Sequence, residues 1–184
     1  RQRQMCIRDR HLSTYAKNRF EIVTVPEFLL DGEKVSSTRI RTDLKQGDVD
    51  HANLFLGYIY QTSGLVVHGE ARGRTLGFPT ANILSAPKAR IPGIGIYAVR
   101  IKIGSKWYLG MASVGRNVTF GEHRPITLEI NIFDFDQEIY GEMVRVDWYH
   151  YVRGEIKFDG AEGLIDQLKA DEKNIRQYFA NLTI

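Results

Sequence analysis

The chain has 184 residues, 43% of them hydrophobic and 26% charged, the mix of a folded protein rather than a disordered one. Its formal charge of +3 sits wholly in residues 1–10, which hold four Arg and one Asp, while residues 11–184 balance at 21 basic and 21 acidic side chains. That neutral body argues against a nucleic-acid partner, and the absence of an apolar run of about 18 residues argues against a spanning helix.

Residues 1–10 also carry the only cysteine, Cys6. They have no apolar core of a secretory signal and no helical or strand period, and are expected to be a disordered tail or a sequence scar. A Cys-free body excludes disulfides and Cys-ligated metals, and is compatible with a cytoplasmic setting.

In chain order, Phe20–Val25 reads as a short buried strand. Ser36 and Ser37 can cap a helix through Ile40, Arg41 and Leu44 that stops at Gly47. Asp48 can cap a second through Ala52, Leu54 and Phe55, ending at Gly57. A strand and two short helices are too small to fold alone, so residues 11–56 are expected to be the remnant of a larger α/β domain, with a boundary at 57.

From Tyr60 the pattern becomes β. Gly64–His68 is a short strand. Tyr97, Val99, Ile101 and Ile103 alternate with Ala98, Arg100 and Lys102, predicting one wet face. Gly104-Ser105 makes a turn, and Lys106–Val114 returns as the hairpin partner. Alternation recurs over Thr127–Ile132 and Val144–Tyr149. About six mostly antiparallel strands in some 95 residues predict a closed or nearly closed barrel. A final amphipathic helix, with Leu164, Ile165, Leu168, Ile175, Tyr178 and Phe179 on one face, should pack on it, capped by Asp159 with Glu162. The fold class is therefore mainly β, a six-stranded barrel with a C-terminal helix, preceded by a short α/β remnant.

The richest stretch for chemistry is residues 68–82. Gly69, Gly73 and Gly77 recur every four residues, with Arg72 and Arg74 between them. Such a loop can turn its N–H groups on an anion such as a nucleotide phosphate, or it is simply a long glycine-rich connection. It lacks the Gly-Lys-Ser/Thr of a Walker A loop. After Pro79, Thr80 and Asn82 lie two apart on a strand and share a face. Their oxygens suit Mg²⁺, unless they only satisfy backbone groups. Glu129, between Thr127 and Asn131 on the polar face of its strand, is a candidate base or a solvated carboxylate. Asp134, Asp136 and Glu138 fall at a turn where charges are ordinarily hydrated. The five histidines show no metal-ligand spacing, and most of the 20 aromatic residues fall at core positions.

Gly73-Arg74-Thr75-Leu76-Gly77-Phe78-Pro79-Thr80-Ala81-Asn82 resembles the signature of riboflavin kinases. So do Pro92–Val99, Leu128-Glu129, Ile139-Tyr140-Gly141, and Arg153 with Glu155, Lys157 and Phe158. The likeness covers residues 57–184 in order. Upstream, Val35–Arg41 resembles a Ser-Ser-Thr-x-Ile-Arg motif of the bacterial FMN adenylyltransferase domain. The family's His-x-Gly-His-type motif is absent from this sequence.

The resemblance implies a Greek-key riboflavin-kinase-like barrel after a nucleotidyltransferase remnant, using ATP and Mg²⁺ to convert riboflavin to FMN in the cytoplasm. FMN adenylyltransferase activity would be lost in this chain. By matching position, Glu129 would be the catalytic base, and Thr80 and Asn82 would hold the metal. Gly69, Gly73, Arg74, Gly77, Thr80 and Asn82 would bind the nucleotide, and Arg153 and Phe158 the flavin. The partners implied are small-molecule substrates, with no membrane, nucleic-acid or obligatory protein partner. At Ser113–Phe120 the sequence departs from the family's Asn-Ile-Gly-x-x-Pro-Thr-Phe flap. The alternative is a non-catalytic flavin- or nucleotide-binding β-barrel, which would not need Glu129, Thr80 and Asn82 together.

Overall fold

The structure, a computed structural model, describes residues 14, 19–23, 26–69, 73, 76–116, 126–158 and 160–182. It divides into two compact units, Arg1–Val35 and Ser36–Ile184. In the first, β1 (Leu29–Leu30) and β2 (Glu33–Lys34) form a small antiparallel hairpin. Asp31 and Gly32 turn it with φ of 50° and 82°, the Asp-Gly signal of a two-residue hairpin. Arg19–Val23 is not a strand, and Phe20, Ile22 and Val23 are exposed. Apolar residues alone do not make a strand when no partner supplies the ladder hydrogen bonds. Thr24 and Val25, which complete the expected strand, lie outside the described residues, as does the 1–10 tail.

In the second unit α1 (Ser37–Gln46) is capped by Ser36, whose side chain accepts from Arg39 N at 3.2 Å. α2 (Val49–Leu56) is capped by Asp48, which accepts from His51 N at 3.0 Å. Gly47 ends α1 at φ 88°, and a Cβ there would meet the Tyr97 hydroxyl at 2.8 Å, so the position demands glycine twice over.

These helices pack on the barrel. Leu44, Val49 and Ala52 belong to the barrel's own core, Gly93 N donates to Leu44 O at 2.8 Å, and Asn53 Nδ2 donates to Trp148 O at 2.8 Å. The compact units divide at 35/36, so α1 and α2 fall in the same unit as the barrel.

Six strands close the barrel: β3 (Tyr60–Val67), β4 (Thr80–Ser85), β5 (Gly95–Ile103), β6 (Lys106–Arg116), β7 (Ile126–Ile132) and β8 (Met143–Arg153). Their order around it is β3-β4-β7-β6-β5-β8, antiparallel throughout. β5, β6 and β7 form a meander, and β8 crosses back to lie beside β5, which is a Greek key. Val99, Ile101, Val114, Ile130, Val146 and Trp148 fill the interior with 0% exposure, as the alternating pattern predicts. The Trp148 indole N–H donates to Thr62 Oγ1 at 2.9 Å, so the buried ring keeps its polar group satisfied.

α3 (Ala161–Asn181) lies on the outside, where Ile175 and Phe179 pack with Ile96, Ala98, Met111, Phe133 and Tyr149. This corrects the reading of β5 as a strand with one wet face. Ala98 is fully buried and Arg100 and Lys102 are half-buried, because a helix covers that side. The cap expected at Asp159 falls outside the described residues. The residue at the N-cap is Gly160, which makes no side-chain capping bond. No helix among the described residues is long and apolar enough to cross a membrane.

Candidate active site

The register of β4 against β7 assembles the site. Asn82 lies directly opposite Glu129, and Thr80 opposite Asn131. Because Ile83, Leu128 and Ile130 point into the barrel, Thr80, Asn82, Glu129 and Asn131 share its outer face. The Thr80 hydroxyl donates to Glu129 Oε2 at 3.3 Å. With its proton turned to the carboxylate, the threonine oxygen keeps its lone pairs for another ligand. Asn131 Nδ2 donates to Pro79 O at 2.8 Å and fixes the chain where it enters β4.

The glycine loop meets this face at both of its described ends. Gly69 passes directly over Asn82, and a Cβ on it would stand 2.1 Å from Asn82 Nδ2. The loop closes through Phe78 N donating to Gly73 O at 2.9 Å, and Gly77 takes φ 82°. Gly69 and Gly73 are thus brought to the Thr80–Asn82 face, whereas a Cβ on Gly77 would meet nothing within 4 Å, and Arg72 and Arg74 lie outside the described residues. A hydroxyl, an amide oxygen and a carboxylate on one face are hard oxygen donors, the set that suits a divalent cation such as Mg²⁺. No group of three or more His, Cys, Asp or Glu that could hold a metal occurs among the described residues.

Beside Thr80 opens a cavity of about 390 Å³. Pro79, Thr80 and Ala81 form one wall and Phe135–Tyr140 the other. Sequence reasoning misses this second wall, because the acidic 134–138 stretch has the composition of a hydrated turn. The one sequence signal that touches it is the Ile139-Tyr140-Gly141 match.

The expected flap begins as part of β6. Ser113 lies opposite Glu129, Gly115 lies opposite Thr127, and residues 117–120 are outside the described set. A Cβ on Gly115 would meet the Glu155 carboxylate at 3.0 Å, so the segment after β8 leans over the same face.

Arg153 is committed to the helix. Its Nε and Nη2 donate to Asp171 Oδ2 at 2.9 and 2.6 Å, and Nη1 donates to Gly154 O at 2.8 Å. Phe158 is half-buried against the first turn of α3, where a Cβ on Gly163 would touch its ring at 3.5 Å. The structure thus places Thr80, Asn82, Glu129, Gly69 and Gly73 together, and sets Arg153 and Phe158 at the root of the helix.

Each of the described histidines makes a side-chain contact. His51 Nδ1 contacts Asp43 at 2.9 Å, His150 Nδ1 contacts Asp50 at 2.8 Å, and His68 stacks on Tyr140.

The riboflavin kinase family model, Flavokinase, matches residues 56–179. The bifunctional riboflavin kinase/FMN adenylyltransferase of Listeria monocytogenes is 46% identical over 171 residues, covering 93% of this chain and 54% of that protein. The Bacillus subtilis protein of the same name is 43% identical over 152 residues, covering 82% of this chain and 48% of its own. The chain spans about half the length of the curated relatives it matches. Among solved structures, one described as a macrolide-efflux protein from Streptococcus pneumoniae superposes with a TM-score of 0.81 at 46% identity, covering 87% of this chain and 53% of that one.

Proposed function

The chain belongs to the riboflavin kinase family, and from that premise we propose that it transfers the γ-phosphoryl group of ATP to the ribityl 5′-hydroxyl of riboflavin, giving FMN and ADP. The observation that carries the reading is the convergence of Thr80, Asn82 and Glu129 on one face, where Thr80 also lines a cavity. A non-catalytic flavin- or nucleotide-binding barrel has no use for that trio.

Thr80 and Asn82 would hold a divalent cation through their side-chain oxygens. The cation, Mg²⁺ in this reading, supplies neutralisation of the phosphate charge. Gly69, Gly73 and Gly77, with Arg74, would turn donors on the phosphates, and the cavity beside Thr80 would take the rest of the nucleotide. Glu129 would orient the 5′-hydroxyl and receive its proton as the new O–P bond forms and the bond to the ADP oxygen breaks. The transition state of such transfers is loose, so positioning outweighs deprotonation. The segment from Arg153 to Phe158 would close on the flavin, with the Arg153–Asp171 pair setting its root. The cysteine-free body favours a cytoplasmic location.

Incubating the purified chain with riboflavin, ATP and Mg²⁺ and separating the flavins by chromatography tests the reading. FMN should accumulate with stoichiometric ADP, and folded protein that yields no FMN would refute it.

A further inference from the structure

We propose that Arg176 is a positioning residue for phosphoryl transfer: from α3 it fixes the turn at Asp134 that begins the loop walling the nucleotide cavity. The inference rests on the kinase reading above. The loop from Asp134 to Gly141 joins β7 to β8, and both its ends adopt positive φ, 56° at Asp134 and 81° at Gly141. Glycine takes that conformation freely, and aspartate more readily than most side chains, helped by hydrogen bonds to its carboxylate.

The far end has backbone support. Gly141 N donates to Val66 O at 2.9 Å, and Val66 N donates to Glu142 O at 2.9 Å. At the near end the Asp134 side chain is held by Arg176. Its Nη1 and Nη2 donate to Asp134 Oδ2 and Oδ1 at 2.8 and 2.9 Å, a two-pronged fork. The guanidinium is itself fixed from two further directions. Nε donates to Glu172 Oε1 at 2.9 Å, and its carbon lies 4.7 Å from the centre of the Phe133 ring. Ile175 and Phe179 flank Arg176 on the helix and are buried against the barrel. The fork therefore relays the position of a rigid helix to a loop that helps wall the cavity beside Thr80. The Arg176 guanidinium also holds the Asp134 carboxyl below its ordinary range, which keeps the pair charged.

Exposed ion pairs contribute little to global stability. A positioning role thus has a signature that a structural role lacks, a loss specific to the nucleotide with the fold intact. The test compares the unmodified chain with Arg176→Ala, Arg176→Lys, Asp134→Gly and, as a control on the exposed side of the same helix, Lys173→Ala. The readouts are steady-state kinetics, ADP binding by calorimetry, and thermal midpoints.

Arg176→Ala should raise KM for ATP and weaken ADP binding roughly tenfold, as expected for a misplaced wall, with KM for riboflavin and the thermal midpoint nearly unchanged. Asp134→Gly keeps the turn allowed but removes the fork, and should behave alike. Lysine cannot form the fork, so Arg176→Lys should recover only part of the loss. Lys173→Ala should match the unmodified chain. ATP KM and ADP affinity that are unchanged in both Arg176→Ala and Asp134→Gly would overturn the proposal. So would an equal loss toward both substrates accompanied by a fall in midpoint. Failure of the unmodified chain to form FMN refutes the kinase reading instead, and the ADP-binding comparison then still decides whether the fork shapes the cavity.

Discussion

Asp171 on α3 is 1% exposed and takes three hydrogen bonds from Arg153 at the end of β8, while Gln167 Nε2 donates to it at 2.8 Å. This cluster joins the C-terminal helix to the strand that leads into the 154–158 segment. A carboxylate so deeply buried persists only because its charge and lone pairs are matched.

Removing one partner should therefore be costly. Asp171→Ala leaves the Arg153 guanidinium, itself only 16% exposed, without its counter-charge. Denaturant unfolding should register a loss of about 3–5 kcal/mol. Replacing both residues with apolar side chains of similar volume should recover most of it. An unchanged midpoint in Asp171→Ala would show that the pair does not hold the helix.

Gly69 tests the site from the backbone side. Its absent Cβ is what lets the loop cross Asn82, since an added carbon would lie 2.1–2.5 Å from the amide atoms. Gly69→Ala should displace Asn82 and lower kinase turnover by up to about 10²-fold, what a 1 Å error in a positioning group can cost. Its circular dichroism should match the unmodified chain. Asn82→Ala should lower turnover similarly at every Mg²⁺ concentration. Gly69→Ala with normal turnover would mean that the loop gives way and Asn82 is not held by it.

Asp147 makes the stability of the barrel depend on acid. Burial pushes its carboxyl above the ordinary value of 3.8, with Arg145 and Arg100 opposing the shift. A raised folded-state value means that the folded protein binds the proton first as pH falls. Stability should thus rise as pH drops from above the folded value toward 3.8, and fall as pH climbs back through that window. Asp147→Asn should flatten this one component. A slope of opposite sign attributable to Asp147, seen as Asp147→Asn steepening the gain on acidification, would contradict the assignment.

The barrel is legible wherever one strand face is the core. Val144, Val146 and Trp148 alternate because their partners are inside, and the capping signals at Ser36, Gly47, Asp48 and Gly57 act locally. Features made by distant partners are not legible. The second buried face of β5 depends on Ile175 and Phe179, some 80 residues downstream. The docking of α1 depends on Gly93 meeting Leu44, a contact that no periodicity records. In the site, the Thr80, Asn82 and Glu129 neighbourhood follows from strand alternation and the motif. The wall at Phe135–Tyr140 stays hidden because Asp134 owes its role to Arg176, 42 positions away.

The account depends most on Glu129, which faces Asn82 across the ladder and accepts from Thr80. The decisive measurement is the steady-state rate of FMN formation by Glu129→Gln, alongside its riboflavin and ATP binding. Glutamine keeps the size and most of the hydrogen bonding but cannot take the proton. Loss of a positioned base costs about 10²–10⁴-fold, and a loose transition state places this case in the lower half of that range. The expected result is a fall of about 10²–10³-fold in kcat, with a matching fall in kcat/KM and both substrates still bound. Near-normal kcat, or a loss confined to riboflavin affinity, would contradict the assignment of Glu129 as the base.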